Sequence, residues 1–353
     1  MDNPKTDRLQ NFLKPRLGSV YVIAEVGINH NGNFETAKEL IYEAAKSGAD
    51  AVKFQNWVAE DFISDKKQLF KYESLKRPVT ETFYDLCKRN ELQKQWLPDL
   101  YKLCDQEKID FMSTPTSYEG VDELINIGVD VFKNGSDYLT HIPLIKYMAE
   151  KAKVIILSTG MSDQKDIDYA LEAVLSSNPN CIPVLLHCTS IYPTPVDEAN
   201  LRRMMALSQK YNVQVGYSDH TIGNEAAIQV VTMGACVLEK HFTLSHDQEG
   251  PDHEFSVTPD ELIDYIRAVR NAEQRCGASI IAPSSSEIEI AKQQRLSAVA
   301  AMDLVKGHTL DLESVAYKKP GTGIHPAEIG KFVGRKLLKD VEKDQILVPD
   351  IFS

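Results

Sequence analysis

Nowhere in the 353 residues does an apolar run approach the roughly 18–20 residues that a membrane-spanning helix needs. The opening segment, Met1 to Arg16, is polar and charged and lacks the apolar stretch of a secretory signal, so a cytoplasmic location is expected. Negative charge outweighs positive, with 51 Asp and Glu against 39 Lys and Arg. A formal net charge of −12 argues against a nucleic-acid surface, which needs clustered cations. It leaves room for an anionic substrate, because a few lysines aimed into a cleft dominate its local field. The six cysteines, Cys87, Cys104, Cys181, Cys188, Cys236 and Cys276, include no Cys-x-x-Cys pair, and several lie in apolar runs. They read as reduced structural thiols rather than a disulfide framework or a zinc site. No Gly-x-Gly-x-x-Gly follows the first strand-like run, which weakens a dinucleotide reading.

What the chain does contain is a rhythm. Eight short β-rich runs recur: Val20–Ala24, Ala51–Phe54, Ile109–Met112, Val129–Phe132, Val154–Leu157, Pro183–Leu186, Val213–Tyr217 and Ala235–Leu238. Helical patterns separate them. After the first run, Ala37, Leu40, Ile41, Ala44 and Ala45 share one helix face, with Asn33 placed to cap its start and Gly48 its end. Eight βα units in about 260 residues predict an α/β fold, a (β/α)8 TIM barrel, with a doubly wound sheet as the rival. The barrel is assigned to residues 1–281. Its stretch 57–95, long, charged and aromatic, reads either as a lid or binding loop, or as a surface excursion or oligomer contact. Composition changes at Ala282–Ser286, so 282–294 is expected as a linker and 295–353 as a small β-rich domain.

In a barrel the chemistry gathers where strands end. The eight runs deliver, in order, Glu25; Lys53 and Gln55; Thr114; Lys133 and Ser136; Ser158; His187, Ser190 and Tyr192; Ser218, Asp219 and His220; and Glu239 and His241. Lys53 and Lys133 have three readings from spacing alone: snorkelling cations, Schiff-base nucleophiles, or fixed charges clamping a phosphate and a carboxylate. The many hydroxyls favour the clamp, since one anion with several oxygens needs many donors. His220 and His241, on adjacent strand ends beside Glu239, Asp219 and Glu25, read either as packed residues or as ligands of a divalent ion. His187 lies inside an apolar run and reads as core. Gly27 and Gly32 serve turn geometry.

These residues sit in longer motifs that resemble one family. Ile23-Ala24-Glu25-Val26-Gly27-Ile28-Asn29-His30-Asn31-Gly32, Lys53-Phe54-Gln55, Ser113-Thr114-Pro115 and Leu157-Ser158-Thr159-Gly160-Met161 look like signatures of the sialic acid synthases (N-acetylneuraminate synthase family). His187-Cys188-Thr189-Ser190-Ile191-Tyr192-Pro193, Ser218-Asp219-His220-Thr221, Leu238-Glu239-Lys240-His241-Phe242-Thr243, Gly250-Pro251-Asp252 and Lys318-Lys319-Pro320-Gly321 continue the series in order over nearly the whole chain. The resemblance implies a TIM barrel followed by a C-terminal SAF (antifreeze-like) domain that swaps over the partner's site in a homodimer. It implies condensation of phosphoenolpyruvate with an open-chain N-acylated mannosamine-type sugar, giving a sialic acid and phosphate. Lys53, Thr114, Lys133, Ser136, Ser158, Ser190 and Ser218 match phosphoenolpyruvate-binding positions. His220 and His241 match ligands of a divalent ion, manganese first, with magnesium or cobalt as alternatives. Glu25 and Glu239 match catalytic carboxylates, and Gln55, Tyr192, Asp252 and a Lys319 from the partner match groups around the sugar. Where the family commonly has Lys-Arg-Pro-Gly, this chain has Lys319 in place of the arginine. A lysine keeps the charge but loses the planar two-pronged donor. N-acetylmannosamine is the expected sugar, with 2,4-diacetamido-2,4,6-trideoxymannose, leading to a legionaminic acid, as the alternative. A Schiff-base aldolase and a non-catalytic sugar-binding protein are the rivals from other classes. No membrane or nucleic-acid partner is expected.

Overall fold

The computed structural model describes residues 20–353, so the opening segment Met1 to Arg16 lies outside the described residues. The chain divides into two compact units, one ending at Ala278 and the other spanning Ser279–Ser353.

In the first unit all eight β-rich runs become parallel strands: β1 (Tyr21–Gly27), β2 (Ala51–Asn56), β5 (Asp110–Pro115), β6 (Val131–Asn134), β7 (Val154–Ser158), β8 (Ile182–His187), β9 (Gln214–Asp219) and β10 (Val237–His241). A hairpin, β3 (Leu69–Ser74) and β4 (Arg77–Thr82), lies between the second and third of them. The large sheet runs β5-β2-β1-β10-β9-β8-β7-β6, and its two end strands lie side by side, rolling it into a TIM-like barrel.

Two-residue alternation explains both layers of the core. One parity of the strands, Ile23, Ala51, Met112, Val154, Ile156, Val184, Leu186 and Val237, forms a compact buried cluster that plugs the lumen. The other parity, including Val22, Ala24, Val52, Phe54, Ile155, Leu157, Leu185 and Leu238, packs outward against helix residues such as Leu40, Ile41, Met148, Leu171 and Val269. Each fully buried aliphatic side chain stabilises the fold by about 1.5–3 kcal/mol relative to exposure. Moving two residues up the lumen face changes its chemistry. Ile23 is followed by Glu25, Ala51 by Lys53, Met112 by Thr114, Val131 by Lys133, Ile156 by Ser158, and Val237 by Glu239 and His241. The lower lumen and the helix layer hold the barrel, and the rim is polar.

The helix Phe34–Lys46 shows the local logic of the outer ring. Asn33 Oδ1 accepts from the backbone N–H of Glu35 at 2.9 Å and of Thr36 at 3.1 Å, and Gly48 turns the chain away with φ of +88°. Asn33→Ala is expected to cost about 1 kcal/mol in a denaturant titration, the usual value of a lost cap.

The stretch 57–95 folds back on the barrel. Short helices Ala59–Phe62 and Phe83–Arg89 flank the hairpin around Ala59, Ile63 and Cys87, and Phe62 stacks on Trp57 at 5.8 Å and on Tyr138 at 5.9 Å. At the hairpin tip Leu75 and Lys76 both take positive φ. Ser74 Oγ accepts from Gly250 N at 3.0 Å, and Lys76 N donates to Glu254 Oε1 at 2.6 Å. The insertion is thereby tied to the loop that carries Asp252.

The second unit is a small β-rich domain. Helix Ser285–Gln294, opened by a capping box between Ser284 and Glu287, occupies most of the stretch 282–294. It is followed by antiparallel β11 (Ser297–Ala300) and β12 (Val315–Lys318) and by isolated bridges such as Val299 to Ile346 and Leu337 to Phe352. Ala298, Leu310, Ile324, Leu337, Leu347 and Ile351 are among its buried core residues.

Candidate active site

Strand register sets the centre of the rim. β1 pairs with β2 so that Glu25 stands beside Lys53, and with β10 so that Glu25 stands beside His241; β9 pairs with β10 so that Ser218 stands beside Glu239. Lys53 Nζ, in a side chain only 2% exposed, lies 2.7 Å from Glu25 Oε2 and 3.6 Å from Glu239 Oε2, and donates to Thr114 Oγ1 at 3.2 Å. Lys133 Nζ lies 3.6 Å from Glu239 Oε2 and donates to Ser158 Oγ at 2.6 Å. Ser218 Oγ donates to Glu239 Oε1 at 2.9 Å, and Gln55 Nε2 donates to Glu25 Oε1 at 2.8 Å.

The two carboxylates are not equivalent. Burial raises Glu25 to about 7, with Glu239 adding to the rise and Lys53 and, less, Lys133 opposing it. Burial also acts on Glu239, but Lys133, Lys53 and the Ser218 hydroxyl overcome it and bring that group down to about 2. Burial would lower Lys53, yet Glu239 and Glu25 hold it above its ordinary value, as a fixed cation. Lys133 is lowered by burial, with Glu239 partly opposing. The centre thus pairs one permanent anion and one near-neutral-titrating carboxyl with two buried amines.

On the β6–β8 side the hydroxyls converge on a glycine. Gly160 N donates to Ser136 Oγ at 3.1 Å, and Ser136 Oγ lies 3.2 Å from Cys188 Sγ. A Cβ on Gly160 would stand 2.3 Å from Ser190 Oγ, 2.8 Å from Ser136 Oγ and 3.0 Å from Cys188 Sγ. Only glycine lets those groups approach so closely. Ser190 Oγ is sequestered and has no hydrogen-bond partner. A buried hydroxyl without a partner is costly, and a bound anion would satisfy it.

On the β9–β10 side lie the histidines. His220 and His241 are ring neighbours at 5.5 Å, and Tyr192 lies against both, at 4.1 and 5.6 Å. Phe255 closes the group, 5.1 Å from His241 and 5.2 Å from Tyr192. His220 Nδ1 is 2.7 Å from Thr189 O, so it carries the proton and leaves Nε2 with a lone pair, 3.2 Å from Ser218 Oγ. His241 Nδ1 has no hydrogen-bond partner and stands 3.6 Å from Asp252 Oδ2. Burial lowers His220 to about 4 and His241 well below its ordinary value, so both rings are neutral near pH 7. Two neutral imidazoles with available nitrogens fit a divalent ion. Among the described residues no group of three or more His, Cys, Asp or Glu is placed to hold a metal. Gly27, with φ of +53°, links this side to the centre: its missing Cβ would lie 3.4 Å from Glu25 Oε1, 3.5 Å from Gln55 Nε2 and 3.7 Å from Asp252 Oδ2.

The barrel thus gathers Glu25, Lys53, Gln55, Thr114, Lys133, Ser136, Ser158, Ser190, Tyr192, Ser218, His220, Glu239, His241 and Asp252 on one rim. Asp219, counted above among the rim carboxylates, does not join them. It follows inward-facing Ser218 and so points outward, where Oδ2 meets Lys240 Nζ at 3.1 Å and Tyr265 Oη at 3.2 Å. Lys240 also donates to Thr221 O and Gly223 O, fixing the turn beyond His220. His187 is buried, with Nε2 2.8 Å from Ala199 O, as a core residue would be. Lys319 lies in the second unit, where Nζ donates to Gln294 Oε1 at 2.6 Å. Cys188 reads from the sequence as a structural thiol, yet it stands beside Ser136 and Gly160, and Phe255 is not marked by the sequence at all; a thiol in an apolar run and a loop phenylalanine carry no local sign of facing a cleft.

Residues 40–280 match the NeuB family model and residues 295–352 the SAF domain model. A protein named N,N'-diacetyllegionaminic acid synthase from Legionella pneumophila is 39% identical over 337 residues, covering 94% of this chain and 95% of that one. Another of the same name from Campylobacter jejuni is 37% identical, covering 92% and 98%. Among solved structures, an N-acetylneuraminic acid (sialic acid) synthetase from Leptospira borgpetersenii, in complex with citrate, superposes with a TM-score of 0.70 at 30% identity, over 78% of this chain and 90% of that one. With matches that run through the barrel and into the small C-terminal domain, the chain belongs to the NeuB family, that of the sialic and legionaminic acid synthases, and ends in a SAF domain.

Proposed function

We propose that this protein condenses phosphoenolpyruvate with an open-chain N-acylated mannosamine-type sugar, releasing phosphate and a nine-carbon sugar acid. The observation that carries the reading is the convergence of two buried lysines, a set of hydroxyls around Gly160 and two neutral histidines on one barrel rim. Lys53, Lys133, Thr114, Ser136, Ser158, Ser190 and Ser218 bind the phosphate and carboxylate of phosphoenolpyruvate as fixed charges and donors. Gln55, Tyr192 and Asp252 hold the sugar, its aldehyde toward the histidines. His220 and His241 hold a divalent ion, manganese in the first instance, which when bound polarises the aldehyde as a Lewis acid. Carbon 3 of phosphoenolpyruvate bonds to the aldehyde carbon, whose oxygen takes up a proton. Glu25 orients water and accepts one of its protons as the oxygen adds to carbon 2; breaking the bond from carbon 2 to the phosphate oxygen then forms the carbon 2 ketone, the hydroxyl proton leaving with the phosphate. Glu239, kept ionised by both lysines, stabilises positive charge developing at carbon 2. A Schiff-base route would need a neutral amine, which Lys53 between two carboxylates does not provide; Lys133, lowered by burial, is the lysine that borohydride trapping addresses.

N-acetylmannosamine is the sugar expected from the sequence, but two relatives at 39% and 37% identity carry the legionaminic name, which favours the 2,4-diacetamido-2,4,6-trideoxy sugar. The reading extends to a cytoplasmic homodimer in which Lys319 of one copy reaches the sugar in the other; a monomer in mass photometry would remove that part. The deciding experiment is phosphate release from phosphoenolpyruvate with each sugar in turn, products weighed by mass spectrometry. No release with any acylaminosugar would overturn the proposal and leave a binding protein; borohydride trapping of a lysine adduct would replace it with an aldolase. Chelation is expected to abolish release and added manganese to restore it, while full activity after chelation would remove the metal from the scheme.

A further inference from the structure

Arg203 stands in the first turn of the helix Arg202–Tyr211, beyond the loop that follows β8, and has no role in the scheme above. Its Nη2 donates to Thr159 O at 3.1 Å and to Ser162 O at 2.6 Å. Between those carbonyls stands Met161, whose φ is +59° and which is 71% exposed. A left-handed conformation costs a non-glycine residue a factor of roughly 5–30 in population. Packing of the Met161 side chain does little to offset that cost, because most of it faces solvent. The guanidinium bridging Thr159 O and Ser162 O does, beside a longer bond within the turn from Ser162 Oγ to Gly160 O at 3.2 Å.

The turn matters because of what it presents. Gly160, one residue earlier, places its N–H against Ser136 Oγ. That bond fills a lone pair on Ser136 and leaves the hydroxyl hydrogen to point at Cys188 Sγ or, once substrate is bound, at its anion. The same placement brings Gly160 beside the unpartnered Ser190 hydroxyl. If the turn relaxed to a right-handed form, the peptide after Gly160 would rotate and this cradle would open.

We infer that Arg203 is a positioning residue for the anion cradle: by bridging Thr159 O and Ser162 O it holds the turn through Met161 in its left-handed form, and so holds the Gly160 amide and the Ser136 and Ser190 hydroxyls in place for the phosphate. The inference rests on the proposed function for its substrate. Arg203→Met raises the KM and the calorimetric Kd for phosphoenolpyruvate by roughly 5–30-fold, the population that the turn loses, and leaves the sugar KM within about twofold. Arg203→Lys, keeping the charge and one donor, falls between. Met161→Gly alone is near neutral, because glycine takes positive φ freely, and Met161→Gly with Arg203→Met recovers most of the lost affinity. A general loss of stability would shift both substrates together and would not be rescued by glycine. Amide hydrogen exchange across residues 159–162 quickens in Arg203→Met with no substrate present. An unchanged phosphoenolpyruvate affinity, unchanged exchange, or a double variant no better than Arg203→Met overturns the inference. If wild-type protein neither binds phosphoenolpyruvate nor releases phosphate, the proposed function falls, while the exchange measurement still decides whether Arg203 holds the turn.

Discussion

Lys53→Met is expected to lower phosphate release by at least ~10³-fold and to destabilise the fold by about 3 kcal/mol near neutral pH. Both effects come from one atom. Lys53 Nζ is the cation between Glu25 and Glu239, inside a side chain only 2% exposed. Removing it leaves two buried carboxylates with Lys133 as their nearest remaining cation, and Lys133 contacts only Glu239 at 3.6 Å. Glu25, already raised to about 7, is pushed higher and holds its proton through the working pH range. The anion then loses a clamp and the water loses its base together. Adding Glu25→Gln to Lys53→Met separates the two consequences. The neutral amide removes the cost of protonating a buried carboxyl near neutral pH, so denaturant titrations recover most of the stability, while turnover stays at the level of the single variant. Lys53→Met keeping more than a tenth of wild-type activity would mean that this lysine only fills the lumen.

The barrel was legible because its code is local. Eight runs of strand length, each followed by a helix face, require nothing distant, and every one became a strand. Which rim side chains face the cleft was half legible. Strand alternation assigns Ser218 and Glu239 inward and Asp219 and Lys240 outward once the lumen parity is known, yet the sequence does not mark where that parity starts. The hairpin Leu69–Thr82 escaped because its strands are mostly exposed and its turn residues are Leu75 and Lys76, where hairpins ordinarily announce themselves with asparagine or glycine. Arg203 escaped for a different reason. Its contacts at Thr159 and Ser162 lie more than forty residues away, and nothing about an arginine beginning a helix foretells them.

Glu25 also ties activity to stability with opposite signs, which gives a pH test. Its carboxyl is raised from an ordinary 4.5 to about 7 by burial. Below pH 4.5 the folded and unfolded states both hold the proton and the shift contributes its full stability. As pH rises from there to about 7 the unfolded chain releases the proton first, and up to about 3 kcal/mol of stability is lost across that window. The form that folding disfavours is the form a base needs, so kcat/KM is expected to climb through pH 7 to a plateau while the denaturation midpoint falls. Asp252 is also raised to about 7 by burial, so the rising limb alone does not name its owner. Glu25→Gln does. It is expected to lower kcat/KM by ~10²–10⁴-fold, the usual worth of a general base, to flatten the limb, and to recover stability above pH 7. Asp252→Asn is expected to keep the limb. If the limb survives Glu25→Gln and vanishes in Asp252→Asn, the titrating group is on the sugar side of the cleft, and Glu25 serves to hold Lys53 rather than to move a proton.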